Sequence, residues 1–221
     1  MPDNAVFRPS LDTTQGTVDA GTAFAVQLEG RSQPVVLSAL HLLGPAGGLE
    51  EQVAAADVGK VIKSVELVDC FKEGTPIEIG NSVIVIADAA PVGKPAKAGD
   101  VIAFLSPEGS GVHAYRLAES FPIPGERVWL AAQIFEGAPI DQRLHAATVT
   151  GKFPTGECQY RFDNQIKITA TSGAPVLNAA GEVVAINLGG LDVEGRIHGV
   201  GNPVEVFRPA IMAAIGSSSR P

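Results

Sequence analysis

Ala170-Thr171-Ser172-Gly173-Ala174-Pro175-Val176-Leu177-Asn178 runs into Gly181-Glu182-Val183-Val184-Ala185-Ile186-Asn187. The first stretch sets a serine among small residues in a tight turn. The second reads as an apolar strand. A turn of this kind presents a hydroxyl beside backbone N–H groups. Taken alone it carries little information, because Ser and Gly favour turns of every sort.

Two upstream stretches change its weight. His41 lies in Val35-Val36-Leu37-Ser38-Ala39-Leu40-His41-Leu42-Leu43, and Asp100 opens Asp100-Val101-Ile102-Ala103-Phe104-Leu105. His, then Asp, then Ser is one of the chain orders of a hydrolytic triad. A serine hydroxyl is a poor nucleophile until an imidazole takes its proton. A carboxylate on the other ring nitrogen fixes the tautomer, and backbone N–H groups hold the oxyanion that forms. Blander readings stay open. His41 could be a buried, satisfied histidine, Asp100 only a turn residue before a strand, and Asp88 a rival carboxylate. His113 and His145 read as surface or β-edge residues, and His198 as a residue that could border a pocket.

The rest of the chain reads as all-β. Of its 221 residues, 45% are hydrophobic and 18% charged, enough apolar matter for a substantial core. The 25 Gly and 16 Pro are dispersed between short Val- and Ile-rich runs such as Thr22–Leu28, Lys60–Val68, Ile166–Thr169 and Glu182–Asn187. Leu49–Asp57 reads as a short helical stretch. Val204–Ile215 reads as a closing helix, limited or kinked at Pro209. A Gly-, Ser- and Pro-rich division at Ser106–Glu126 puts His41 and Asp100 in one half and Ser172 in the other. The tail Gly216–Pro221 reads as disordered.

The formal net charge of −8 argues against nucleic acid or an anionic membrane as partner. No apolar run approaches the ~20 residues that span a bilayer, and Met1–Arg8 lacks the pattern of a signal peptide. The expectation is a cytoplasmic protein, unless the chain is truncated. Cys70 and Cys158 read as free thiols. No metal-ligand spacing or phosphate-binding glycine loop occurs, so no metal and no cofactor are expected.

Val36-Leu37-Ser38-Ala39-Leu40-His41, Asp100-Val101-Ile102-Ala103-Phe104-Leu105 and Thr171-Ser172-Gly173-Ala174-Pro175-Val176 resemble the His, Asp and Ser segments of trypsin-like serine proteases of bacterial type. Gly181–Gly190 is similar to the strand that follows the serine there, and Gly199-Val200-Gly201 to the next. The resemblance spans roughly residues 17–215. It implies two antiparallel β-barrels of the chymotrypsin type, about 15–108 and 120–203, with a C-terminal helix at about 204–215. It implies a serine endopeptidase working through an acyl-enzyme on a polypeptide substrate. His41 would be the base, Asp100 its orienter and Ser172 the nucleophile. The N–H groups of Ala170 and Ser172 would form the oxyanion hole. Ile166 would floor the substrate pocket, Leu188, Gly189 and Gly190 would pair with an extended substrate, and His198 and Gly199 would border the pocket. With no carboxylate at these positions, an apolar side chain is the expected preference.

Some residues depart from the family pattern. Ala170 stands where the family usually has Gly, and Leu40 where a small residue precedes the His. There is no Ile-Val-Gly-Gly-like start, so activation by a freed N-terminus is not expected. The alternative these departures motivate is a catalytically impaired relative that binds extended peptides in the same groove.

Overall fold

Short runs of Val, Ile and small residues between Gly and Pro turns have one economical use: antiparallel strands that bury one or both faces. A computed structural model of the chain describes residues 3–218 and bears this out. The first lobe holds β1 (Val6–Thr13), β2 (Gly16–Val18), β3 (Ala23–Val26), β4 (Val35–Ser38), β5 (Ile62–Asp69), β6 (Ile77–Glu78), β7 (Val83–Ile84) and β8 (Ile102–Leu105). They pair in the order β6-β5-β1-β3-β4-β8-β7, with β2 added to β1. The second lobe is a closed barrel built from β9 (Arg127–Ala131), β10 (Leu144–Lys152), β11 (Cys158–Phe162), β12 (Pro175–Leu177), β13 (Val183–Val193) and β14 (Arg196–Pro203).

The expected pair of barrels is thus one closed barrel and one sheet that stays open along its edge. The end strands β6 and β7 have two residues each, flanked by Gly74, Pro76 and Gly80 on one side and Pro91, Gly93 and Pro95 on the other. Chain of that composition does not sustain a ladder long enough to close the ring.

Helices are few. A single turn, α1 (Val58–Val61), leads into β5. The expected helix over 49–57 is instead irregular chain ending in a 3₁₀ turn at Ala55–Asp57. The terminal helix α2 (Val204–Ser218) runs through Pro209 and past Gly216, so residues 216–218 are helical where disorder was expected. Residues 219–221 lie outside the described residues. Val204, Phe207, Ile211 and Ile215 are buried on one face of α2 and join the core of the first lobe. That burial offsets the intrahelical bond Pro209 cannot donate. The closing helix of the second lobe therefore straps the two lobes together.

The first lobe begins at β1, ahead of the residue near 15 expected from the sequence. Pro9 within β1 is what hides it, because proline demotes a strand reading. Here Pro9 pairs on one side with Leu67. On the other side β1 hands over from β3 at Phe7 to β2 at Leu11, so no neighbour needs the missing N–H at 9. Among the described residues no helix is long and apolar enough to cross a membrane, and no group of His, Cys, Asp and Glu could hold a metal ion.

Candidate active site

Strand β4 ends at Ser38, and the chain then tightens into a 3₁₀ turn at Leu40–Leu42. The turn sends Leu40 wholly into the first core and leaves His41 at the core's edge, only 8% exposed. Leu40, which stands where the family has a small residue, is thereby taken up by that core. Asp100 precedes β8, the ladder partner of β4, where Ser38 faces Ile102. That register brings the carboxylate to the imidazole.

His41 Nδ1 lies 2.6 Å from Asp100 Oδ2, and the His41 backbone N–H donates to Asp100 Oδ1 at 3.0 Å. The Val92 N–H donates to Oδ2 at 2.8 Å. Asp100 is 2% exposed, and three bonds satisfy its charge there. The carboxylate on Nδ1 fixes the ring with its other nitrogen available as an acceptor. Asp88, the rival carboxylate, is exposed and takes no part.

Ser172 arrives from the second lobe. The segment 166–169, expected as a strand, has left the sheet, and both the Thr171 N–H and its Oγ1 return to the Ile168 carbonyl. Strand β12 starts only after the turn. Gly173 makes the turn possible at φ 88°, and a Cβ there would lie 2.0 Å from the Thr22 carbonyl oxygen. The turn is thereby pressed against the β4 side of the first lobe.

Within the turn, the N–H groups of Thr171, Gly173 and Ala174 donate to the carbonyls of Ile168, Asn187 and Thr171. Those of Ala170 and Ser172 donate to no protein acceptor among the described residues. Ala170 holds φ 63°, a left-handed conformation that costs a non-glycine residue about 1–2 kcal/mol. The Ser172 hydroxyl donates to the Leu188 carbonyl at 3.1 Å. No hydrogen bond joins Ser172 to His41 among the described residues.

Two groups absent from the sequence reading hold this turn. Asn187, fully buried on β13, donates from Nδ2 to the Thr171 carbonyl at 3.0 Å and to Thr171 Oγ1 at 2.9 Å. Its Oδ1 accepts from the buried Tyr160 hydroxyl at 2.6 Å. From the other lobe, the Thr22 N–H donates to the Ser172 carbonyl at 2.7 Å, and Thr22 Oγ1 donates to the Ala170 carbonyl at 2.9 Å. Ser38 Oγ donates to the Thr22 carbonyl at 2.7 Å. A polar residue inside an apolar run is the signal that marks Thr22, Ser38 and Asn187 in the sequence.

The expected pocket residues divide. Ile166 lines a surface cleft with Ile168, Thr169, Gly190, Leu191 and Ile197. Ile168 lies across Gly190 so closely that a Cβ on the glycine would sit 2.1 Å from the Ile168 Cδ1. Leu188 is the unpaired residue of the bulge where β13 slips against β14, and Gly189 resumes the pairing opposite Val200. Gly199 instead backs onto the Tyr160 ring, where a Cβ would come within 2.1 Å. His198 is buried on β14 with Nδ1 unpartnered, and burial, then Arg161 and Arg196, hold its pKa below the ordinary value.

His113 is exposed, as expected. His145 is buried, not on the surface, and its Nε2 donates to the Ala132 carbonyl at 3.0 Å. Cys70 and Cys158 are free and buried.

No protein-family model matches the chain, and no curated protein matches it. Solved structures do. A thermostable serine protease from an extremophilic microorganism superimposes with a TM-score of 0.62 at 16% identity, over 98% of both chains. The HtrA-type protease AlgW, with a decapeptide, gives 0.59 at 15% identity over 96% of this chain and 65% of that one. The MamO protease domain from Magnetospirillum magneticum gives 0.50 at 18% identity over 99% and 97%. A lobe pair of open sheet and closed barrel, matched end to end by these proteins, identifies the chain as having the trypsin-like serine protease fold.

Proposed function

We propose that this chain is a serine endopeptidase. The observation that carries the proposal is the buried His41–Asp100 pair at 2.6 Å, set across the lobe boundary from a serine turn with two N–H groups unengaged. Rotation about the Ser172 Cα–Cβ bond takes the hydroxyl from the Leu188 carbonyl toward His41. His41 Nε2 accepts its proton as Oγ attacks the substrate carbonyl carbon. The oxyanion is held by the N–H groups of Ala170 and Ser172. The C–N bond then breaks, the amine leaves with the proton from His41, and an ester remains on Ser172. Water repeats the sequence and releases the acid. Asp100 stabilises the imidazolium throughout and keeps its charge.

An extended peptide would lie along Leu188–Gly190 as an added strand. Its side chain would enter the cleft over Ile166. Ile168, packed on Gly190, forms one side of that cleft, whose lining also includes Lys167 and Asp192. The peptide carried by AlgW is a precedent for such a ligand on this fold.

The experiment is hydrolysis of an unfolded protein substrate by the wild type and by Ser172→Ala. The expected result is cleavage that Ser172→Ala reduces by about 10⁴-fold or more. Equal cleavage by both would refute the assignment. One observation favours a second reading, a module that binds peptides without cutting them: the Ser172 hydroxyl rests on Leu188, not on His41. Peptide binding unchanged in Ser172→Ala, with no turnover by the wild type, would decide for it.

A further inference from the structure

Ala170 poses a problem that Thr22 answers. The proposed oxyanion site needs a left-handed residue at 170, and this chain supplies an alanine at φ 63° where only glycine is at ease. Something outside the turn must hold the conformation, because strained backbone persists only where its surroundings over-determine it. The Ala170 carbonyl is bound by Thr22 Oγ1 at 2.9 Å, and the Ser172 carbonyl by the Thr22 N–H at 2.7 Å. One residue of the first lobe thus grips the carbonyls on either side of Thr171.

Thr22 is itself fixed. It is buried, and Ser38 Oγ donates to its carbonyl at 2.7 Å. Gly21 and Gly173 close the contact, since a Cβ on Gly21 would sit 2.7 Å from the Ser172 carbonyl oxygen and one on Gly173 2.0 Å from that of Thr22. Pinning the Ala170 carbonyl fixes the plane of the 170–171 peptide. With that plane held, the left-handed form at Ala170 can relax only if the 169–170 peptide, which carries the Ala170 N–H, turns by itself against a fixed neighbour.

We propose that Thr22 is a positioning residue whose hydroxyl locks Ala170 in the left-handed form, doing for this chain what a glycine at 170 would otherwise do. The inference rests on Ser172 being the nucleophile and adds a second lobe to the control of its oxyanion site. The lock acts on transition-state stabilisation and leaves the peptide groove untouched. It therefore affects kcat and the rate of acylation, with KM nearly constant.

The test compares Thr22→Val, which keeps the shape and loses the donor, with Thr22→Ser, which keeps the donor. Each is made with Ala170 and with Ala170→Gly. Fluorophosphonate labelling of Ser172 is timed in all, and crystal structures of the wild type and Thr22→Val give φ at Ala170. Thr22→Val is expected to slow labelling by between about tenfold and the 10²–10³-fold that loss of one oxyanion donor costs. Thr22→Ser is expected to retain most of the rate. Ala170→Gly is expected to restore much of the loss in Thr22→Val, because glycine reaches the left-handed form unaided. Rescue by a residue on the opposite lobe is not what a general loss of stability produces.

Labelling of Thr22→Val at the wild-type rate would overturn the inference. So would a positive φ at Ala170 retained in the Thr22→Val crystal structure. A wild type that fails to label would instead sink the nucleophile assignment, and φ at Ala170 would still decide whether Thr22 is a lock.

Discussion

At the scale of single residues, the site depends on how one buried carboxylate is used. Asp100 accepts from the His41 ring, the His41 N–H and the Val92 N–H, so it is fully engaged. Asparagine at this position keeps the shape but presents a donor that favours the wrong imidazole tautomer. Asp100→Asn is expected to lower kcat by about 10⁴-fold with the fold intact, read by steady-state kinetics beside a melting curve. A loss below about tenfold would contradict the role given to Asp100. Leu40, a departure from the family pattern in the sequence, is buried in the first core by the 3₁₀ turn.

At the scale of elements, the 170–174 turn is held from both sides. Asn187 and Tyr160 support it from the second barrel, and Thr22 and Ser38 from the first lobe. Gly173→Ala would push a methyl into the Thr22 carbonyl and require a left-handed alanine as well. It is expected to abolish labelling of Ser172 and to lower the stability of the chain by more than about 2 kcal/mol, measured by denaturant unfolding. Unchanged labelling and midpoint would show that the lobes do not meet here.

The turn itself is legible in the sequence, as are the strand through Glu182–Asn187 and the closing helix from Val204. Those features rest on local spacing. The strand β1 was not, because Pro9 argues against a strand unless the neighbours at that one position are known. The strand expected over 166–169 failed for the reverse reason. Its composition suits a strand, but the segment must leave the sheet to carry the serine turn. Thr22 and Asn187 stand out as polar residues in apolar runs, but their partners lie more than a dozen positions away, 148 in the case of Thr22 and Ala170, and no local pattern names those partners.

At the scale of the whole molecule, the two lobes are joined by α2, by the contact at Thr22 and by second-barrel side chains such as Leu177, Val183 and Ile186 that pack into the core of the first lobe. Each lobe carries one buried thiol. Burial pushes the Cys70 thiol up to about 12 and raises that of Cys158 as well. An unfolded thiol titrates near about 8.5. Above that pH the unfolded chain releases protons that the folded chain retains, so the unfolding free energy falls as pH rises, by up to about 1.4 kcal/mol per pH unit for each thiol. The decline between pH 8.5 and 10 is expected to be shallower in a Cys70→Ala, Cys158→Ala variant, read by urea unfolding. Parallel curves would contradict the burial of the thiols. The central claim joins the lobes in a single chemical act, proton transfer from Ser172 to His41 during attack. Its most direct measurement is peptide-mapping mass spectrometry of the folded chain after treatment with a fluorophosphonate. The account expects one adduct, on Ser172, absent in Ser172→Ala and strongly reduced in His41→Ala. A folded wild type that carries no adduct on Ser172, or labels equally well without His41, would contradict it.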